Sequence, residues 1–185
     1  MRVITGIARG RCLETLEGNE VRPTSDKVKE AIFSAIQFDL PGTNVLDLFC
    51  GSGQLGIEAL SRGAKYSVFV DKNKDSIEIT KKNIETVGFS EISKVIQMDS
   101  LDFLKQTKLN FDIVFIDPPY NHGLIESALE LLSDRINDGG KVICEHESEL
   151  NLPEITGELI LNKEYKHGKV RVSLFTKSPK GSRYE

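Results

Sequence analysis

From residue 44 onward the chain alternates between two periodicities, and this alternation limits its fold more than any other feature. "NVLDLF" (44–49), "YSVFVD" (66–71), "SKVIQMD" (93–99), "FDIVFID" (111–117) and "GKVICEH" (140–146) read as strands, three of them apolar enough to be buried on both faces. Between them lie a Gly-rich turn with a helix ending near Gly63, a helix over 74–87 stopped by Gly88, a short helix near 100–107, and a helical segment over 123–135. Strand–helix alternation predicts a parallel sheet with right-handed crossovers and helices on both faces. Segments 157–163 and 169–176, joined across Lys166-His167-Gly168, predict a closing antiparallel hairpin, so the expected sheet is mostly parallel and seven-stranded. Ahead of it, residues 2–8 and 12–16 flank Arg9-Gly10-Arg11 and predict an N-terminal β-hairpin extension within residues 1–20. A helix is expected from Thr24/Ser25, where the hydroxyls can cap and Val28, Ala31, Ile32, Ala35 and Ile36 recur at helical spacing. At 185 residues the expectation is one domain spanning 1–185.

A net charge of −4 excludes a globally basic nucleic-acid binder, but the charge is uneven. The first eleven residues hold Arg2, Arg9 and Arg11 and no acid, and seven Lys/Arg follow from Lys163 against two acids. Basic ends around an acidic middle leave room for a local polyanion-binding face. Cys12, Cys50 and Cys144 form no C-x-x-C pair, which argues against a zinc site and a disulfide scaffold and fits a reducing cytoplasm. The start of the chain shows no signal peptide and no membrane span.

"VLDLFCGSGQLGIEAL" (45–60) places Gly51, Gly53 and Gly56 as G-x-G-x-x-G between a strand and a helix. A dinucleotide site is the obvious reading, and Asp47 opposes it. A carboxylate at the strand end disfavours a pyrophosphate and favours a ligand with an ammonium and a sulfonium, which describes S-adenosylmethionine (AdoMet). Asp71, at the end of the second strand, suits ribose hydroxyls. Asp99, at the end of the third, is placed to accept from an adenine amino group. For each acid the structural alternative is a helix cap. It fits Asp47 poorly, inside its apolar run, and fits Asp99 better, because Ser100 precedes a helix.

The fourth strand ends in Asp117-Pro118-Pro119-Tyr120. Two prolines hold this end extended and leave carbonyls without ladder partners. Together with the Asp117 carboxylate they offer two acceptors for an NH2 group, turning its lone pair toward an electrophilic methyl, while Tyr120 offers a flat face for a base. The structural alternative is a capped turn.

"LDLFCGSGQLGIEALSRGA" with "DPPY" resembles the class I amino-methyltransferases, which have a Rossmann-like sheet with an antiparallel closing element. "RVITGIARGRCL", "RPTSDKVKEAIFSAI" (22–36) and "YKHGKVRVSLF" (165–175) narrow the resemblance to the RsmD family, across nearly the whole chain. The resemblance implies a cytoplasmic enzyme that methylates a guanine N2 in 16S ribosomal RNA, on the free RNA or the small-subunit particle. It carries over Asp47, Phe49, Gly51, Gly53, Asp71 and Asp99 as AdoMet contacts, with Thr24 near the cofactor, and Asp117, Pro118, Pro119 and Tyr120 as the catalytic motif. Position 120 is Tyr where many members have Phe, and position 50 is Cys where many have Ala; Cys50 reads as a small buried residue. Arg2, Arg9, Arg11 and Arg22 become candidate phosphate contacts. The competing readings are an adenine-N6 methyltransferase on DNA or RNA, protein glutamine methylation, and an RNA-binding chaperone with a vestigial fold. Sequence alone leaves guanine and adenine open, since both present an NH2.

Overall fold

A computed structural model describes residues 1–16, 25–119 and 123–179. Helix α1 (Asp26–Ile36) leads to β1 (Asn44–Leu48), α2 (Gln54–Ser61), β2 (Tyr66–Asp71), α3 (Lys74–Val87), a 3-10 turn (Ser90–Ile92), β3 (Ser93–Gln97), α4 (Ser100–Gln106), β4 (Phe111–Ile116), α5 (Leu124–Leu132) and β5 (Ile136–Glu147). Strands β6 (Ile155–Thr156), β7 (Leu159–His167) and β8 (Val170–Lys177) complete one sheet in the order β3-β2-β1-β4-β5-β8-β7-β6. The first five strands pair in parallel, and β8, β7 and β6 join antiparallel. The expected seven strands are present, and β6 adds a two-residue eighth at the edge.

Burial explains the strand composition. In β1 only Asn44 is less than buried, and β2 is buried between its end residues, because helices cover both faces there. Strand β3 sits at the edge and is only half-buried, which matches its polar content. Val45, Phe69, Phe115 and Ile143 pack on one face against α1, α2 and α3. Leu46, Leu48, Val70, Ile116 and Cys144 pack on the other against α4 and α5. Helix starts follow their caps: Ser25 Oγ accepts from Val28 N–H, and Asn73 Oδ1 from Asp75 and Ser76 N–H. Gly88 ends α3 in the left-handed conformation.

Residues 1–3 and 11–13 pair antiparallel through the Arg2–Cys12 bridge, with Val3 N–H donating to Arg11 C=O at 3.0 Å and Leu13 N–H to Met1 C=O at 2.8 Å. Other backbone donors of the segment go to α2. Glu58 of α2 takes the N–H groups of Ile4 (2.8 Å) and Thr5 (3.0 Å), and Ser61 Oγ takes that of Ala8 (3.0 Å). Glu58 is itself buried, with Arg62 Nε at 2.8 Å and Lys29 Nζ at 3.8 Å, and Lys29 donates to the Arg2 carbonyl at 3.0 Å. Burial lowers the Lys29 pKa and the Glu58 charge opposes that shift. The segment is thus paired with itself and bolted to α1 and α2 by a charge network. No helix among the described residues is long and apolar enough to cross a membrane.

Candidate active site

In the order 3-2-1-4-5 the chain leaves β1 toward β2 and β3, then returns to the opposite side of β1 as β4. At this switch point the carboxyl ends of β1 and β4 diverge and leave a crevice. The loop 49–53 rims it from β1, and Asp117, Pro118 and Pro119 rim it from β4. Leu48 pairs with Ile116, so the two rims start level.

The glycine loop is held from several directions. Gly51 N–H donates to Asp71 Oδ2 (3.0 Å), and Gly51 C=O accepts from Thr80 Oγ1 (2.8 Å). Gly53 N–H closes the turn onto Cys50 C=O at 2.7 Å. Gly51 has φ 55°, and a Cβ there would meet nothing within 4 Å, so its backbone faces open space where a ligand can approach closely. Gly56 answers a different need: a Cβ there would lie 2.3 Å from the Phe69 ring, so α2 packs on β2 only without a side chain. Phe49 has φ 66°, the one positive φ outside glycine among the described residues. A bulky side chain in that conformation is strained, and such strain concentrates at ligand sites. It turns Phe49 out of the strand alternation and into the crevice wall.

A cavity of about 80 Å³ brings together Asp47, Phe49, Gly51, Gln54 and Asp117, with Thr15 and Leu16 from the N-terminal segment. The glycine loop and the end of β4, far apart in sequence, therefore share one wall. Asp71 reaches the site through the loop: Oδ2 holds Gly51 and Oδ1 accepts from Asn73 N–H at 2.9 Å. Gly53 supplies the turn rather than the lining. Asp99 lies two residues beyond β3, where Oδ1 caps α4 through Leu101 and Asp102 N–H. The capping reading thus holds for Asp99 and engages one of its two oxygens. Thr24, Arg22 and Tyr120 lie outside the described residues.

Asp47 corrects a sequence argument. It is buried, and Oδ2 accepts from the N–H of Gly56 at 2.8 Å. A residue inside the apolar run does cap a helix here, because α2 points its first turn at the end of β1. Burial pushes the Asp47 carboxyl up to about 8; the Gly56 hydrogen bond opposes this, and the Asp71 charge adds to it.

Three residues went unread in the sequence. Thr80 and Asn83, on α3, hold the loop by Gly51 C=O and Ser52 C=O. Their only signal was helical spacing on a face that looks like core. Gln54 is buried against the cavity, and its Oε1 makes no hydrogen bond among the described residues. A buried acceptor without a donor is costly, and a ligand ammonium would satisfy it. With the Asp47 carboxyl beside the same cavity, the residues fit the amino-acid end of AdoMet. Cys50 is buried, its thiol pKa raised well above the ordinary value first by burial and then by the Asp47 charge, which fits a packing role.

The fold and crevice define a class I methyltransferase architecture. Two solved structures share it: yhhF from Escherichia coli has a TM-score of 0.87 at 32% identity, covering 96% of this chain and 98% of that one. HI0767 from Haemophilus influenzae has a TM-score of 0.82 at 35% identity, with the same coverage. The Haemophilus influenzae protein named ribosomal RNA small subunit methyltransferase D is 41% identical over 85% of this chain and 83% of the relative. Its Escherichia coli namesake is 32% identical over 98% and 92%. The family described as Conserved hypothetical protein 95 matches residues 1–176. The chain belongs to this family, the RsmD family of methyltransferases.

Proposed function

We propose that this protein transfers a methyl group from AdoMet to the exocyclic N2 of a guanine in 16S ribosomal RNA. The observation that carries the reading is the shared cavity: Asp117, the first residue of the Asp-Pro-Pro motif, lines the same space as Asp47, Phe49, Gly51 and Gln54. Relatives named for the small ribosomal subunit RNA supply the substrate class.

AdoMet supplies an electrophilic methyl group on a sulfonium. In this reading Asp47 and Gln54 receive its ammonium, Asp71 its ribose hydroxyls, and the remaining oxygen of Asp99 its adenine amine. Asp117 and the carbonyls of the rigid Pro118-Pro119 end accept from the target NH2, fixing its lone pair toward the methyl. The Asp117 carboxylate stabilises the positive charge that develops on nitrogen, which then loses one proton to solvent. Tyr120 stacks on the target ring. Arg2, Arg9 and Arg11 are exposed; in this reading they contact phosphates, and Arg22 is a further candidate for that role.

The test is transfer of labelled methyl from AdoMet onto small-subunit particles lacking the modification, followed by nucleoside analysis. N2-methylguanosine is expected. N6-methyladenosine as the product would replace guanine by adenine in this reading, and no transfer to RNA would end it.

A further inference from the structure

A second, larger cavity, about 410 Å³, lies on the other side of the strand-four end. Its size falls within the range of small-ligand sites, roughly 300–1,000 Å³. Pro118 and Pro119 form part of its wall, Leu124 and Leu150 supply apolar surface, and Glu126 and Glu145 bring carboxylates. Asp117 lines the first cavity and the two prolines line the second. The tripeptide therefore separates two spaces, and a group held in the second meets the Asp-Pro-Pro acceptors on its way to the first.

The lining of this second cavity contains no Lys or Arg among the described residues, and Glu147 and Glu149 add to its negative charge. Such a space rejects phosphate and accepts a neutral, flat group that presents N–H donors. The two purines differ on this point. Guanine shows an N1–H donor beside its NH2, whereas adenine shows a bare N1 acceptor beside its own. With the NH2 taken by the Asp-Pro-Pro acceptors, a carboxylate beside them meets a donor at guanine N1 and a repelling lone pair at adenine N1.

Glu126 is the carboxylate best placed for that role. Its Oε2 is shielded from solvent and makes no hydrogen bond among the described residues, a cost that a ligand donor would remove. Its charge is also close enough to Cys144 to raise that thiol further, behind the larger effect of burial. Cys144 pairs with Ile116, the residue just before Asp117. Glu126 lines the same cavity as Pro118 and Pro119, the end of the motif.

We propose that this second cavity receives the target base and that the Glu126 carboxylate selects guanine by accepting from its N1–H. This rests on the methyl-transfer reading above and supplies what the motif alone leaves open, the choice between two exocyclic amines.

The test uses a reconstituted particle in which the guanine mapped by the transfer assay is replaced by 2-aminopurine. That base keeps the exocyclic amine, exchanges the N1–H donor for an acceptor and lacks O6, so the Glu126→Gln arm separates the N1 effect from the loss of O6. The wild-type protein is expected to lose at least about 100-fold in kcat/KM on 2-aminopurine, as sites with unpaired buried polar groups do. Glu126→Gln, whose amide can donate to that N1, is expected to narrow the gap at least tenfold with AdoMet binding unchanged. Wild type treating both bases alike overturns the assignment, as does a Glu126→Gln variant that keeps the full preference. If the folded variant is inactive on both bases, Glu126→Asp decides. It retains an acceptor and must retain activity with guanine preference, or Glu126 is not the selecting group. Absence of any methyl transfer by wild type would instead sink the functional reading itself.

Discussion

Asn83 holds Glu14 by both of its backbone polar groups. Its Oδ1 accepts from Glu14 N–H at 2.8 Å, and its Nδ2 donates to Glu14 C=O at 3.0 Å. The same Nδ2 reaches Ser52 C=O in the glycine loop at 2.9 Å. One buried side chain thus ties the segment carrying the exposed arginines to the loop of the cofactor cavity, and Thr15 and Leu16, the next two residues, form part of that cavity's wall. Asn83→Ala strands these backbone groups and is expected to cost about 1–3 kcal/mol of stability. AdoMet affinity should fall as well, because the cavity loses a fixed wall. Denaturant unfolding and calorimetry check the two effects. An unchanged affinity would show that residues 14–16 do not shape the cofactor site.

Asp47 predicts a pH dependence. Its folded pKa, about 8, lies above the ordinary 3.8, chiefly through burial. Its contribution to folding is therefore fully present below pH 3.8 and is lost as pH rises toward 8. Asp47→Asn removes this loss, so relative to wild type the variant should gain stability between pH 5 and about pH 8. Ligand binding runs in the opposite direction. An ammonium beside Asp47 favours the ionised carboxylate, so AdoMet affinity should rise from pH 6 toward 8. Above that the ligand's own α-amino group, with a pKa of roughly 7.7–8.0, loses its charge and affinity should decline. Calorimetry across this range should give a maximum near pH 8 in wild type and no rising limb in Asp47→Asn. A flat wild-type profile would separate Asp47 from the ammonium.

Composition patterning reports burial, and that is why the strands were legible. Strand β2 (Tyr66–Asp71) and helix α3 (Lys74–Val87) have the bounds read from the sequence, since a continuous apolar run and a stopping glycine are local signals. At the N-terminus residues 1–3 pair with 11–13, while the Ile4 and Thr5 donors go to Glu58, more than fifty residues away, which no local signal announces. The site divides in the same way. The glycine loop and Asp117 were found through local chemistry, and the structure brings them to one cavity. Thr80, Asn83 and Gln54 were missed because their roles depend on which backbone groups or spaces α2 and α3 happen to face. Asp47 was found for one reason and carries a second, a cap on α2 that only the helix direction reveals.

The charge asymmetry predicts which end meets RNA. At the C-terminal hairpin, Lys177 is buried and donates to Ser133 and Ile136 C=O at 2.8 and 2.9 Å, and Arg171 is engaged by Glu164 and Ser148 C=O. Arg9 and Arg11 are exposed on a segment anchored by Glu58. Replacing Arg9 and Arg11 together by Ala should weaken RNA binding and flatten its salt dependence by about 1.8 in log–log slope, or about 1.4 if the contacts are single-stranded. AdoMet affinity should stay the same. If the slope does not move, these arginines do not contact phosphate, and the remaining lysines of the hairpin take their place.

Asp117 carries the sharpest prediction. It stands one residue beyond Ile116, which pairs with Leu48, and lines the cavity with Asp47 and Gly51. The glycine loop is held by hydrogen bonds to Asp71, Thr80 and Asn83. Asp117→Ala should therefore fold and bind AdoMet nearly as wild type does. Turnover on the particle should fall by about 10²–10³, the usual effect of removing one electrostatic stabiliser of a transition state. The loss should sit in kcat, because the charge that Asp117 opposes exists only as the methyl moves. Tyr120→Ala should lose activity and Tyr120→Phe keep it, since stacking needs the ring and not the hydroxyl. Full turnover in Asp117→Ala would reduce the strand end to a capped turn. A loss confined to KM would make Asp117 a contact for bound RNA and move the chemistry elsewhere along the crevice.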